Sequence, residues 1–261
     1  MGIQGLAGMV AFALLCGAAG AQDAAAPATG FLNQSVTVDG HEHRYALYVP
    51  REYDAAKAWP LVVFLHGAGE RGADGLKQTE VGIGRAIRLN PERFPCLVLM
   101  PQCPDNKFWD AMFPAMEAMM ARTKAGYTVD EKRVTLTGLS LGGYGTWLWG
   151  SMKTDTFAAL MPVCGGGNPM DLKRLSPDMT PDSFGTMEER VARLATRPVW
   201  AFHGKADDVV PALRTRQMVR NVEKAGGEVK YTEYPGVGHN SWDNAYGDAE
   251  AAAWLLEQRL P

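Results

Sequence analysis

The chain has 261 residues, a formal net charge of −3, 46% hydrophobic residues and 21% charged residues. These proportions are globular and exclude a coiled coil, a collagen-like chain and an extensively disordered protein. The weak negative charge argues against nucleic acid as a partner, because such a binder needs a basic face. Only five histidines are present, so histidine-dependent chemistry has few candidates.

The N-terminal segment predicts an export signal. Residues 1–21 carry no Lys, Arg, Asp or Glu, and the apolar run 6–19 is followed by Ala19-Gly20-Ala21. Such a run before a small-x-small site is typical of a secretory leader, and it is short for a transmembrane helix of about 20 apolar residues. The alternative is a retained anchor, because the first residues lack Lys and Arg. We expect a signal peptide over 1–21, a flexible tether over 22–30, one domain over 31–261, a secreted or periplasmic location and no membrane span in the mature form.

Apolar runs alternate with helix-like segments along the rest of the chain. Two β-rich runs, 34–38 and 45–49, flank Asp39-Gly40, which is a hairpin signal. Further strands are predicted at 60–65, 97–100, 134–137, 160–163, 199–202 and 229–234. Helices are predicted at 81–89, 111–125, 141–151, 187–194, 212–224 and 248–260. Runs that are apolar on both faces predict an α/β fold, a mostly parallel sheet with helices on both sides and functional residues at the carboxyl ends of strands.

One connection differs from the others. Residues 168–189 form a longer and more polar stretch that holds three prolines and Gly185. A long connection in a compact domain is either a surface loop or a lid over the site. Both interpretations stay open from the sequence.

The strongest chemical signal follows the predicted strand at 134–137. Gly138-Leu-Ser-Leu-Gly142 is a G-x-S-x-G sequence between a strand and a helix, which is the context of a nucleophile elbow. The two glycines leave room for a tight turn that presents Ser140 at the start of a helix. The amide of Leu141 is then free to donate to an oxyanion.

A serine needs a base, and in the elbow topology the chain order is serine, acid, histidine. Of the two histidines after Ser140, His239 follows the last predicted strand and has carboxylates at the preceding strand end, whereas His203 does not. Asp207 and Asp208 both follow His203, and only one of them can orient His239. The other aspartate is expected to cap the helix that follows.

The segment His66-Gly67-Ala68-Gly69-Glu70-Arg71 follows the first long apolar strand. Its small residues predict a second oxyanion donor, the amide of Ala68 or alternatively of Gly69. We expect the His66 side chain to brace this loop. Glu70 and Arg71 are expected to form a structural ion pair rather than line the acyl pocket.

Cysteine and histidine spacing gives little support for a metal. Cys96, Cys103 and Cys164 remain after leader removal, and Cys103 with Cys164 is a conceivable disulfide, but buried free thiols are favoured. No CxxC pair is present, and the spacing of His41 and His43 is a weak metal signal. We expect no metal and no organic cofactor.

Taken in order, the segments 65–72, 100–104, 138–147, 164–167, 202–211 and 238–242 resemble the α/β-hydrolase superfamily. More narrowly they resemble exported bacterial esterases of the feruloyl esterase and phospholipase/carboxylesterase group. The resemblance implies Ser140 as nucleophile, His239 as base and, by its place after the second His-Gly, Asp207 as acid. It also implies that Gln102, Trp109 and Trp242, together with Gly69, shape the substrate cleft.

The resemblance implies a secreted serine esterase acting through an acyl-enzyme on a small-molecule or polysaccharide-linked ester, with feruloyl or acetyl esters as candidates. A serine peptidase acting on short peptides is the first alternative. The second is a non-catalytic binding module on a hydrolase scaffold, against which the complete set of Ser140, Asp207 and His239 argues. Acyl specificity and oligomeric state are left open.

Overall fold

The computed structural model describes Met1, residues 28–180 and residues 183–261. The predicted signal segment and most of the tether lie outside these residues. The described chain forms a single eight-stranded sheet. Its strands are β1 (Gly30–Val38), β2 (His41–Val49), β3 (Trp59–Leu65), β4 (Leu97–Pro101), β5 (Val129–Leu139), β6 (Leu160–Val163), β7 (Val199–Gly204) and β8 (Val229–Tyr234).

The strands lie in the order β1-β2-β4-β3-β5-β6-β7-β8. β1 and β2 are antiparallel, β2 is antiparallel to β4, and the remaining neighbours are parallel. Asp39 and Gly40 both have positive φ, as a two-residue type I′ hairpin turn requires, so the hairpin is confirmed. The predicted mostly parallel α/β sheet is also confirmed.

Helices cover both faces of this sheet. They are α1 (Gly82–Leu89), α2 (Phe113–Gly126), α3 (Leu141–Met152), α4 (Pro169–Leu175), α5 (Met187–Leu194), α6 (Leu213–Lys224), α7 (Trp242–Gly247) and α8 (Ala249–Glu257). The buried residues of α2 to α6 join one apolar cluster, and those of α1, α7 and α8 join another. Each cluster buries one side of the sheet.

β3 shows how the sequence produces these two cores. All its residues from Leu61 to Leu65 are fully buried. Leu61, Val63 and Leu65 belong to the first cluster, whereas Val62 and Phe64 belong to the second, because side chains alternate along a strand. A continuous apolar run is therefore what a strand covered on both faces requires.

The long connection 168–189 is partly helical, since it contains α4 and the start of α5. Asn168 caps α4 by accepting the amide of Asp171 at 2.9 Å. The buried side chain of Leu172 joins the first cluster, and Ser176 Oγ donates to Asp110 Oδ2 at 2.8 Å. These contacts anchor α4 and Ser176 to the rest of the domain. Residues 181 and 182 are not described.

Cys96, Cys103 and Cys164 are buried free thiols, as expected. Burial raises the pKa of all three, that of Cys103 to about 12. Among the residues the structure describes, no helix is long and apolar enough to cross a membrane.

Candidate active site

Ser140 lies in a strained turn between β5 and α3. Its φ is +52° and ψ −114°, a conformation that non-glycine residues adopt at a cost of about 1–3 kcal/mol. A side chain on Gly142 would collide with the carbonyl oxygen of Leu65, and a Cβ on Gly138 would lie 2.7 Å from that same oxygen. The two glycines therefore let β5, α3 and the end of β3 approach closely, which permits the turn.

Three of the predicted residues meet at the ends of β5, β7 and β8. The Ser140 hydroxyl lies 2.9 Å from His239 Nε2, and His239 Nδ1 lies 2.7 Å from Asp207 Oδ2. The carboxylate oxygen only accepts, so Nδ1 carries the proton and Nε2 is free to accept the serine proton. Asp207 is buried, whereas the His239 side chain is 18% exposed. The imidazole is therefore more accessible to solvent than the carboxylate.

Asp207 rather than Asp208 contacts His239. Asp207 Oδ1 accepts the amides of Val209 at 2.9 Å and Val210 at 2.8 Å. The expectation that the second aspartate caps the following helix is wrong, because α6 begins at Leu213 with Ala212 as its N-cap and no side-chain cap. Asp207 itself accepts the turn amides with one oxygen and binds His239 with the other. Asp208 is exposed.

The loop after β3 approaches Ser140 from the other side. A Cβ on Gly67 would lie 3.5 Å from Ser140 Cβ, so the loop backbone adjoins the nucleophile. Ala68 begins a short 3₁₀ turn and Leu141 begins α3, and first-turn amides have no acceptor within their own helix. Both amides are suited to binding an oxyanion. Gly69, the alternative donor, is exposed in the same turn.

Side chains brace this loop. Glu70 accepts the amide of Gly67 at 3.0 Å, and burial raises the pKa of Glu70. His66 is fully buried, donating from Nδ1 to the Gly67 carbonyl at 2.6 Å and accepting the Cys103 amide at Nε2, 2.9 Å away. Burial lowers the pKa of His66 to about 4, so its ring is neutral at pH 7. The contacts of His66 agree with the expected bracing.

Gly69 is one of the four residues expected at the cleft, and the other three have different surroundings. Gln102 is buried: Oε1 accepts the Gly75 amide at 2.6 Å, and Nε2 donates to the Glu70 carbonyl at 3.0 Å. Trp109 has no exposed surface and packs edge-on beneath His66. Trp242 is partly exposed, with its ring 5.3 Å from that of His239. The structure thus brings only Trp242 next to the reacting groups; Gln102 supports the loop and Trp109 the core.

Two buried residues near Asp207, Cys164 and His203, were not predicted to belong to the active site. A thiol of Cys164, a carboxylate oxygen of Asp207 and a ring nitrogen of His239 lie within 4.8 Å of one another. Cys164 follows β6 with φ +42°. A metal at this position would displace the 2.7 Å hydrogen bond between His239 and Asp207 and would need the thiol deprotonated, which burial opposes. His203 also contacts Asp207. Both lie at strand ends, which is the signal that would have identified them.

Comparisons with solved structures agree with this architecture. A thermostable esterase is similar with a TM-score of 0.74 and 34% identity, over 88% of this chain and 63% of that one. A ferulic acid esterase is similar with a TM-score of 0.68 and 17% identity, over 87% of this chain and 97% of that one. Est1E from Butyrivibrio proteoclasticus is similar with a TM-score of 0.65 and 18% identity, over 87% of this chain and 98% of that one. These likenesses confirm the α/β-hydrolase fold inferred from the sequence.

Relatives by sequence cover different lengths. An uncharacterized secreted protein of Arthroderma benhamiae is 26% identical over 205 residues, which are 71% of this chain and 22% of that protein. Acyl-protein thioesterase 1 of Gibberella zeae is 26% identical over 130 residues, 50% of this chain and 49% of that protein. The chain spans about a fifth to a half of the length of these relatives. Residues 105–259, more than half of the chain and including Ser140, Asp207 and His239, match the prolyl oligopeptidase family, Peptidase_S9, to which this protein therefore belongs.

Proposed function

We propose that the protein is a serine hydrolase of carboxylic esters. The observation that carries the proposal is the chain of hydrogen bonds from Ser140 Oγ through His239 to Asp207, with the serine on a strained strand-to-helix turn. A serine hydroxyl becomes an effective nucleophile when an oriented base takes its proton. This arrangement supplies the nucleophile, the base and the group that orients the base.

In the proposed reaction Ser140 Oγ attacks the ester carbonyl carbon while His239 Nε2 takes the serine proton. Asp207 stabilises the imidazolium that forms and keeps its Nδ1–H directed away from the serine. The tetrahedral intermediate expels the alcohol, which receives the proton from His239 Nε2, and an acyl-serine remains. A water oxygen then attacks the acyl carbon while His239 Nε2 takes a water proton. The bond between that carbon and Ser140 Oγ breaks, His239 returns the proton to Ser140, and the acid is released.

The proposed oxyanion donors are the amides of Ala68 and Leu141. Ala68 lies in the loop after β3 and Leu141 is the first residue of α3, and each begins a helical turn beside Ser140. Donors fixed in place before the reaction stabilise the developing charge without reorganisation, and loss of one such donor typically lowers kcat by about 10²–10³. Glu70, His66 and Gln102 fix the Ala68 side of this arrangement through the contacts described above.

We further propose an exported enzyme acting on small or polysaccharide-linked esters, with feruloyl and acetyl esters as the first to try. The esterase neighbours and the secreted fungal relative support this reading. Removal of residues 1–21 as a signal peptide, a tether over 22–30 and a single catalytic domain over 31–261 belong to the same proposal.

The experiment is hydrolysis of an aryl acetate by wild type and by Ser140→Ala, in parallel with labelling by a fluorophosphonate probe. We expect turnover and labelling of wild type only, with both proteins showing the same circular dichroism spectrum and melting temperature. Equal labelling of the two proteins would contradict Ser140 as nucleophile. A wild type that neither turns over nor labels would favour a non-catalytic module.

Peptide hydrolysis is the second candidate, because the matched family is the prolyl oligopeptidase family. The same groups attack an amide, but the leaving amine then needs the proton from His239 more than an alkoxide does. Rates on an aryl acetate and an aminoacyl anilide, measured side by side, separate the two. We expect the ester to be the better substrate, and a panel varied on both the acyl and alcohol sides then ranks feruloyl and acetyl groups.

A further inference from the structure

A second histidine contacts the carboxylate of Asp207. His203, near the end of β7, is fully buried, and its Nε2 lies 3.1 Å from Asp207 Oδ2. That oxygen is the one that accepts His239 Nδ1 at 2.7 Å. The other oxygen of Asp207 accepts the amides of Val209 and Val210. The buried carboxylate is therefore surrounded by four N–H groups, two on each oxygen.

The neighbours of His203 fix its tautomer. Nε2 is also 2.8 Å from the carbonyl of Val210, so both atoms near it are acceptors and Nε2 must carry a proton. Nδ1 lies 2.7 Å from Thr215 Oγ1, which also lies 2.6 Å from the Gly165 carbonyl, so Nδ1 and that carbonyl compete for the one hydroxyl proton. Burial is the main influence on the pKa of His203 and lowers it, which keeps the ring neutral. In the neutral ring Nδ1 is an acceptor that shares the Thr215 hydroxyl proton with the Gly165 carbonyl, and Nε2–H is shared between Val210 and Asp207.

We propose that His203 is a positioning residue for Asp207 in the proposed ester hydrolysis. Its single N–H contacts two points of the same loop, the Asp207 carboxylate and the Val210 carbonyl, and so holds the acid in register with His239. The N–H also competes with His239 for Oδ2. Without it, the carboxylate oxygen attracts the His239 proton more strongly, and the base gives up its proton less readily.

Few titratable groups face the His239 and Asp207 pair in the described part of the chain. Cys164 at the end of β6 approaches both, but burial raises the pKa of its thiol and keeps it neutral. His203 faces them from the end of β7, and Ser140 from the elbow. A change at His203 therefore acts on this pair through Asp207 without competition from a second charge.

The test compares His203→Asn with His203→Gln. Both are neutral amides, but a glutamine amide reaches the position of Nε2, whereas an asparagine amide ends near that of Nδ1. Loss of a hydrogen bond to a charged group predicts a fall in kcat/KM of about tenfold to a hundredfold for His203→Asn. We expect the acid limb of its pH–rate profile to move to higher pH by about one unit, since one unit corresponds to a tenfold change in proton affinity. In His203→Gln we expect both kcat/KM and the position of the acid limb to be close to those of wild type.

The pH dependence of inactivation by a fluorophosphonate probe is measured for the same three proteins, because it reports on Ser140 without requiring the right ester. If wild type does not react with the probe, the proposed function fails. If wild type reacts and His203→Asn, folded by circular dichroism, keeps the wild-type pH profile, His203 is structural only and the inference is overturned. If His203→Asn does not fold, His203→Gln becomes the test. A pH profile of inactivation in His203→Gln that differs from that of wild type would then overturn the inference.

Discussion

The sequence places a His-Gly pair at the end of two parallel strands, and the two pairs behave differently. His66 and His203 are both fully buried at strand ends. The hydrogen bonds of His66 go only to main-chain groups, the Gly67 carbonyl and the Cys103 amide. His203 contacts the side chains of Asp207 and Thr215 as well as the Val210 carbonyl. The two histidines share their burial, their position at a strand end and the glycine that follows. Their hydrogen-bond partners therefore distinguish them: the His66 ring holds a loop, whereas the His203 ring contacts the acid.

The largest effect expected at the β7 end tests which aspartate belongs to the site. Replacing Asp207 with Asn should lower kcat by about 10⁴, the loss seen when the acid of a serine triad is made neutral. Asp208→Asn, one residue away and exposed, should stay within about twofold of wild type, as surface changes do. The kcat values of the two variants are measured by hydrolysis of an aryl acetate. An inactive Asp208→Asn with an active Asp207→Asn would transfer the role to the neighbour.

The next effect concerns stability at the β3 end. The pKa of His66 in the folded protein is about 4, against 6.5 for an ordinary histidine, because burial disfavours the charged ring. The unfolded chain therefore binds more protons between these values, and stability present above pH 6.5 is lost as pH falls toward 4. From pH 8 to pH 4.5 this residue accounts for a loss of about 2.5 kcal/mol in the free energy of unfolding.

Urea unfolding of wild type and His66→Gln at the two pH values isolates this contribution, because the other titrating groups are common to both proteins. The variant should be less stable at pH 8 and should lose less stability on acidification. Equal losses in the two proteins would mean that His66 is not the buried titrating group. The comparison of the two strand ends would be reversed if His66→Gln, rather than His203→Asn, shifted the pH profile of the rate.

Chain order and strand position were enough to predict much of this site. Continuous apolar runs predicted the buried strands, and the order of serine, carboxylate and histidine after them predicted Ser140 and His239. The polar start of β5 was missed because residues 129–133 are partly buried or exposed and give no apolar signal. Asp207 and Asp208 are adjacent on a loop, so the side chain that turns inward is decided by tertiary contacts. The partners of His203 are equally invisible, because Thr215 and Asp207 meet it only after folding.

Gln102 offers a smaller effect on the oxyanion side. Its amide joins Gly75 and Glu70 across the loop that carries Ala68. Gln102→Met keeps the volume but leaves those main-chain groups without a partner, which predicts a loss of about 1–3 kcal/mol in stability. We also expect a fall in kcat of about tenfold as the Ala68 amide loses its fixed position.

Gln78 is the matched control. It is also a fully buried glutamine, but its amide donates to the Met100 carbonyl and not to the loop. Gln78→Met should therefore lower the melting temperature without the same loss in kcat. Parallel unfolding and rate measurements distinguish the two glutamines, and equal kcat losses would show that the effect at Gln102 is general destabilisation rather than support of the oxyanion donor.

The smallest effect is expected at Trp109, which the resemblance placed at the cleft and the structure places beneath His66. Its ring centroid lies 4.9 Å from that of His66, and its buried Nε1 has no hydrogen-bond partner among the described residues. Trp109→Phe preserves an aromatic edge and removes the unpaired N–H, so the lost volume should cost only about 1 kcal/mol in stability. KM for short and bulky acyl esters should stay within about twofold of wild type, as for a change that does not touch the substrate.

Trp242→Phe is the comparison, because that ring is partly exposed beside His239. A KM that depends on acyl size in Trp109→Phe but not in Trp242→Phe would place Trp109 in the cleft after all, and would make the β3 end a substrate-binding surface as well as a support for the loop.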